Sequence, residues 1–316
     1  MSTPSFPDLA SLRTSGKAGL ARALARLERS AGTEEAAALL DAAEAEPKGD
    51  VLGLTGPPGV GKSTLTGALV RAFRGRGMSV GVIAVDPSSM RSGGALLGDR
   101  ARIPTDPDDR DVFVRSLAAR DRLGGLSDLA FGGVLLMRAL FDRVIVETVG
   151  VGQSEADVAL VADTILLAVQ PASGDALQFI KAGVMELPDV VAVTKADLGA
   201  PAFRARDDLE SALTLASAGR DAWRAPVTLV SSETGEGLDT LVALIEEHAA
   251  FLREGDRRAE RRAAQSEARL KAALKGRFGT AGLAAAGPIL AGLSGGPFTR
   301  EAKAAAELTA RLAGPR

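Results

Sequence analysis

Gly53–Val70 reads GLTGPPGVGKSTLTGALV, glycine-rich, with one lysine ahead of a periodic apolar run. Within it, Gly56-Pro57-Pro58-Gly59-Val60-Gly61-Lys62-Ser63 fits GxxxxGK[ST]. It lies between an apolar strand at 51–55 and a helix at 64–73, the context this pattern requires. The physics accounts for each residue. Glycines let backbone N–H groups turn inward around a phosphate. The helix N-terminus adds positive partial charge. Lys62 is placed to reach β- and γ-phosphates, Ser63 to put its hydroxyl on Mg²⁺, and Thr64 to bond an α-phosphate oxygen.

Working outward, apolar runs rich in Val and Ile recur at 79–86, 143–149, 164–170, 189–195 and 226–232, separated by helix-compatible segments. Strands buried on both faces of a parallel sheet read this way. The expected fold class is α/β, a P-loop NTPase with a mostly parallel central sheet flanked by helices. Ligands of such sheets bind beyond the carboxyl ends of the strands, so the residues there carry the chemistry. Glu147 ends one strand and can hold the Mg²⁺ water shell, and Gly150 lets a backbone N–H approach a γ-phosphate. Asp86 and Asp99 flank a glycine-containing loop, either a switch ordered by Mg²⁺ and γ-phosphate or a surface loop with Asx turns. Thr194-Lys195-Ala196-Asp197 ends another strand. Asp197 can accept the N1 and N2 protons of guanine, a donor pair adenine lacks, and the Lys195 stem can lie along the base. Ser231, Ser232 and Glu233 follow the last strand, where a backbone N–H can meet guanine O6. The ligand implied is GTP or GDP with Mg²⁺.

Composition removes other chemistries. The 316 residues include no Cys and one His, His248, which excludes thiol catalysis, disulfides and multi-histidine metal sites. Aromatics are 3% with no Tyr, too few to stack single-stranded nucleic acid, and a net charge of -2 argues against nucleic-acid or membrane partners. The first residues hold no long apolar stretch, so a cytoplasmic protein is expected. His248 and Trp223 read as packing residues.

Three segments are expected: an N-terminal helical extension at 1–48, the nucleotide-binding domain at 49–250, and a helical arm at 251–316. The extension reads as two helices parted at Ala31-Gly32, the second starting at Thr33. From Arg253 to Arg277 nine basic residues stand against four acidic ones, read as a solvated helix face with room for one apolar stripe. Residues 282–298 read as a loop before a final short helix.

GPPGVGKST, AVDPSSMRSGGALLGDRARI, VIVETVGVGQSEADVALVADTILLAVQPASGDALQFIKAG and VTKADL together resemble the MeaB/ArgK family of P-loop GTPases, to which the methylmalonic aciduria type A protein belongs. The resemblance covers about 15–250. It implies GTP hydrolysis coupled to an adenosylcobalamin-dependent acyl-CoA mutase, usually methylmalonyl-CoA mutase, whose cofactor loading the family gates. It also implies Asp86, Asp99 and Glu147 around Mg²⁺, a client-sensing switch at 170–183 with Asp175 and Lys181, and homodimers through the C-terminal arm. Thr194 stands where the resemblance implies Asn, and 102–125 replaces a serine- and proline-rich stretch, which leaves the client open.

The residue after Gly150 is Val151, which cannot orient a water as glutamine does there in small GTPases. Gln153 lies two residues on. The catalytic candidates are therefore Lys62, Glu147, Gln153 and Lys181, with slow turnover expected until a client rearranges 150–155 and 170–183. Other readings are a metallochaperone GTPase for another metalloenzyme, a P-loop small-molecule kinase, and a nucleotide-gated binding module.

Overall fold

The computed structural model describes residues 6–30, 32–86, 103, 105–106, 108–118, 128–150, 157–171, 188–216 and 223–313. Seven strands form one sheet: β1 (Asp50–Thr55), β2 (Val80–Asp86), β3 (Val112–Ala118), β4 (Arg143–Glu147), β5 (Thr164–Val169), β6 (Val190–Val193) and β7 (Val227–Leu229). Their spatial order is β3-β2-β4-β1-β5-β6-β7, every pair parallel. The sheet is thus wholly parallel, with β1 between β4 and β5. β3 is an addition to the expected strands. It pairs with β2 along its length, Val80↔Val112 to Asp86↔Ala118.

Alternate residues of each strand enter different cores, as the pleat dictates. Leu52, Leu54, Val82 and Ile145 meet Leu65, Leu69 and Phe73 of α4 (Lys62–Gly75). Val51, Ile83, Val144 and Val146 meet the other layer. That layer holds α1 (Leu9–Thr14), α2 (Gly16–Arg29), α3 (Glu34–Ala45) and α5 (Asp128–Arg138). The N-terminal segment thus has three helices instead of two. Thr33 caps α3, accepting the Ala36 N–H at 3.3 Å. Glu35, in the first turn of α3, pairs with Arg26 at 3.1 Å. After β6 come α6 (Ala200–Ala216), then α7 (Leu238–Arg253), α8 (Arg257–Ala291) and α9 (Pro297–Leu312).

α8 corrects two expectations. Residues 282–291 continue the helix past a break at Gly279, whose φ is 70°, so the loop expected there shrinks to the turn before α9. The basic run is a solvated face only in part: Arg253, Arg257, Lys271, Lys275 and Arg277 are exposed, while other arginines are engaged within the chain. Arg258, Arg261 and Arg262 recur at helical spacing and turn inward. Arg258 meets Asp50 at 3.0 Å, Arg261 meets Asp189 at 2.8 Å and Arg262 meets Asp163 at 2.7 Å. These carboxylates begin β1 or immediately precede β5 and β6, at the amino ends of the strands. Gln265, one turn on, donates to the Ala159 and Ala162 carbonyls at 2.8 and 2.7 Å. Asp41 of α3 accepts the Phe298 and Thr299 N–H groups, joining α9 to the N-terminal layer.

His248 packs in the interior, 1% exposed. Its Nδ1 is 2.9 Å from Thr164 Oγ1, its Nε2 is 3.3 Å from Asp189 Oδ1, and Trp223 packs at 4.9 Å. Burial pushes the imidazole below its ordinary 6.5, with Asp189 opposing and Arg261 reinforcing. The unfolded chain therefore takes up this proton first. Stability present above pH about 6.5 falls as pH drops towards the folded value, by at most about 1.4 kcal/mol per pH unit. Urea midpoints measured from pH 7.5 to 5.5 should decline less steeply for His248→Gln than for the wild type; parallel declines would refute the assignment.

Candidate functional site

The carboxyl ends of β1, β4, β5, β6 and β7 converge on the glycine-rich loop. Gly56 follows β1, and Gly61, left-handed at φ 94°, caps α4. A helix's first N–H groups have no intrahelical acceptor, so α4 points donors into this loop. Lys62 is 7% exposed, and its Nζ donates to the Gly56 and Pro57 carbonyls at 2.7 and 2.8 Å. The ammonium is thereby curled over the loop that Gly56, Pro57, Gly59 and Val60 form. Thr64 faces outward in the first helical turn.

Glu147 ends β4, buried beside α4. Ser63 donates to its Oε1 at 2.5 Å and Thr66 to its Oε2 at 2.8 Å. Gly150 adopts φ 80°, and a Cβ there would run into the Gly56 carbonyl and the Lys62 ammonium. Only glycine admits this approach, which sets the backbone after β4 directly against the loop. Asp86 ends β2, whose register pairs Ala84 with Glu147, so two acidic positions occupy neighbouring strand ends. The Asp86 side chain, Asp99, Gln153, Asp175 and Lys181 lie outside the described residues.

The residues after β6 knit the site together. Thr194, 3% exposed, directs its hydroxyl at the Val60 and Val169 carbonyls, 2.8 and 3.0 Å away. Thr194 thereby braces the glycine-rich loop against β5 and β6. Lys195 holds a left-handed φ of 56° and reaches Gln170 Oε1 at 2.6 Å and the Gly59 carbonyl at 3.3 Å. Asp197 stands exposed on the short turn Ala196–Leu198. The Ala196 N–H donates to Val230, which seats that turn beside the loop of Ser231, Ser232 and Glu233. Ser231 Oγ accepts the Thr234 N–H at 3.2 Å. Phosphate, metal and base candidates thus share one rim of the sheet. Thr66 was missed from sequence. Its signal was its place three residues after Ser63, on the same helix face.

Ser63 Oγ and Glu147 Oε1 form a pair of hard oxygens of the kind Mg²⁺ takes, an ion that needs few protein ligands when phosphates supply the rest. The residues fit that ion. Among the described residues no group of three or more His, Cys, Asp and Glu could hold a metal by itself.

A parallel sheet with a GxxxxGKS loop after its central strand, an acidic residue ending the neighbouring strand and an Asp-bearing base loop defines a P-loop GTPase. The family model described as methylmalonyl-CoA mutase-associated GTPase MeaB matches residues 20–283, and the chain belongs to this family. A protein of Pyrococcus horikoshii bearing a GTPase name is 42% identical over 228 residues, 72% of each chain. The mouse mitochondrial methylmalonic aciduria type A homolog is 40% identical over 190 residues, 59% of this chain and 46% of that protein. A crystal structure described as LAO/AO transport system kinase superposes with a TM-score of 0.67 at 29% identity, covering 96% of both chains. Among the described residues no helix is long and apolar enough to cross a membrane.

Proposed function

We propose that this GTPase is a chaperone of an adenosylcobalamin-dependent acyl-CoA mutase such as methylmalonyl-CoA mutase, gating the loading or protection of its cofactor. The mutase-associated family description supports the client, and so does the likeness to the methylmalonic aciduria type A homolog. The observation that carries the nucleotide chemistry is the cluster of the Lys62 ammonium, the Ser63–Glu147 pair and the Gly150 backbone at one loop.

In this reading the loop amides from Gly56 to Thr64 hold the phosphates, and Lys62 neutralises β- and γ-oxygens. Ser63 and Glu147 hold magnesium, with Asp86 and Asp99 as further candidates; the ion, when bound, neutralises charge on the phosphate oxygens. The Gly150 N–H faces the γ-phosphate. Asp197 accepts the two guanine N–H groups, with Lys195 along the base and a backbone N–H of Ser231, Ser232 or Glu233 at O6. Thr194 keeps the phosphate and base loops in register. Gln153 and Lys181 are the polar groups a client would bring to bear. A cytoplasmic setting and a homodimer through the 251–316 arm complete the reading. The inward arginines of α8 are engaged within the chain, which leaves its outer face for a second copy.

Single-turnover GTP hydrolysis, measured with and without purified methylmalonyl-CoA mutase, tests the proposal. Turnover alone should stay far below about 1 s⁻¹, the lower end for kinases that act unaided, and should rise when the mutase is added. A rate unchanged by the mutase sinks the client assignment.

A further inference from the structure

We infer that Thr66 is a positioning residue for the metal site: it locks one oxygen of Glu147 so that only the other is presented to the cation. The inference rests on the reading of Ser63 and Glu147 as magnesium ligands. Ser63 and Thr66 lie one helical turn apart on the face of α4 that meets β4. Glu147 lies along that turn, its Oε1 taking the Ser63 proton at 2.5 Å and its Oε2 the Thr66 proton at 2.8 Å. Two roles separate along the helix axis. Ser63 opens α4 at the phosphate end; having given its proton to Oε1, it keeps lone pairs for a cation. Thr66 is fully buried at 0% exposure, about 4.5 Å further along by helical rise. Its single proton holds Oε2 away from the loop, so the carboxylate cannot turn. Residue length follows: spanning both hydroxyls takes the extra methylene of Glu over Asp. The effect on magnesium passes through Glu147 and not through contact.

The test uses binding of N-methylanthraniloyl-GDP to the full chain, titrated with magnesium and with EDTA. Wild-type affinity should be higher in magnesium. Thr66→Val, near-isosteric but without the hydroxyl, should lose about tenfold of that magnesium gain, the scale of one hydrogen bond to a charged group. Its affinity in EDTA should stay within about twofold of wild type, and Thr66→Ser should restore the gain to within about twofold, because the same donor returns. A Thr66→Val protein with the full wild-type gain overturns the inference alone. So does a Thr66→Ser protein as impaired as Thr66→Val, since packing would then be the cause. A wild type that binds equally well with and without magnesium overturns the metal reading and this inference with it.

Discussion

Lys62→Ala should lower guanine-nucleotide affinity by about two to four orders of magnitude, the loss of two or so charge-assisted hydrogen bonds at about 1.5–3 kcal/mol each. The ammonium is 7% exposed and already within 2.8 Å of two loop carbonyls, so its charge is delivered from a confined position at the mouth of α4. Confinement also predicts that Lys62→Arg fails to rescue. A planar guanidinium is larger than an ammonium and donates as a fixed fork, while the space beside Nζ is closed by the backbone of Gly150. Calorimetry with GDP and magnesium should therefore give little heat for either variant, with a cooperative melt showing that each is folded. Wild-type heat from Lys62→Ala would mean that the phosphates are held elsewhere. Folding should weaken as well, since the carbonyls released belong to buried Gly56 and Pro57, and a buried acceptor that loses its donor costs about 1–3 kcal/mol.

How far the molecule could be read from its sequence depends on the range of each interaction. The glycine-rich loop, its strand and its helix are contiguous, and their chemistry is written in one run of residues. The same holds for the chain order of Glu147, Asp197 and the Ser231 loop, because each ends a strand whose apolar run is visible. β3 was hidden because Val112–Ala118 mixes Arg115 and Ser116 into its apolar residues, as an edge strand with partly exposed positions does. The inward turn of α8 was hidden for another reason. Arg261 and Asp189 are 72 residues apart and Arg262 and Asp163 are 99 apart; a basic run states its charge but not its partners. Thr194 shows a third limit. That its hydroxyl braces the glycine-rich loop is visible only in the 2.8 Å approach of the Val60 carbonyl, 134 residues away.

Asp163→Ala should destabilise the fold by about 3–5 kcal/mol, the cost of breaking a buried ion pair from one side. Asp163 is 1% exposed and accepts Arg262 through Nε at 2.7 Å and Nη2 at 2.8 Å, and the Val51 N–H at 2.8 Å. Arg138 is buried nearby, and burial, with Arg262 adding repulsion, already lowers its guanidinium to about 10. Without the carboxylate, buried Arg138 and half-buried Arg262 would repel with one fewer counter-charge, and the Val51 N–H of β1 would lose its acceptor. Replacing both members, Asp163→Leu with Arg262→Met, should cost less than the single change, because Arg262 is not left without its partner and its repulsion of Arg138 goes with it. The sign with pH is fixed as well. Burial alone would raise the Asp163 carboxyl, but the Arg262 hydrogen bonds and charge outweigh it and hold it below 3.8. Its contribution is thus complete above the unfolded value of about 3.9 and is lost as pH falls through the folded one. Urea midpoints at pH 7 should separate the wild type from Asp163→Ala widely, and the gap should close in strong acid; a constant gap would place the effect in packing. The Asp163–Arg262 pair lies at the amino ends of the strands and the phosphate loop at their carboxyl ends. Folded Asp163→Ala should consequently bind GDP as the wild type does, which separates what holds the arm to the sheet from what holds the nucleotide.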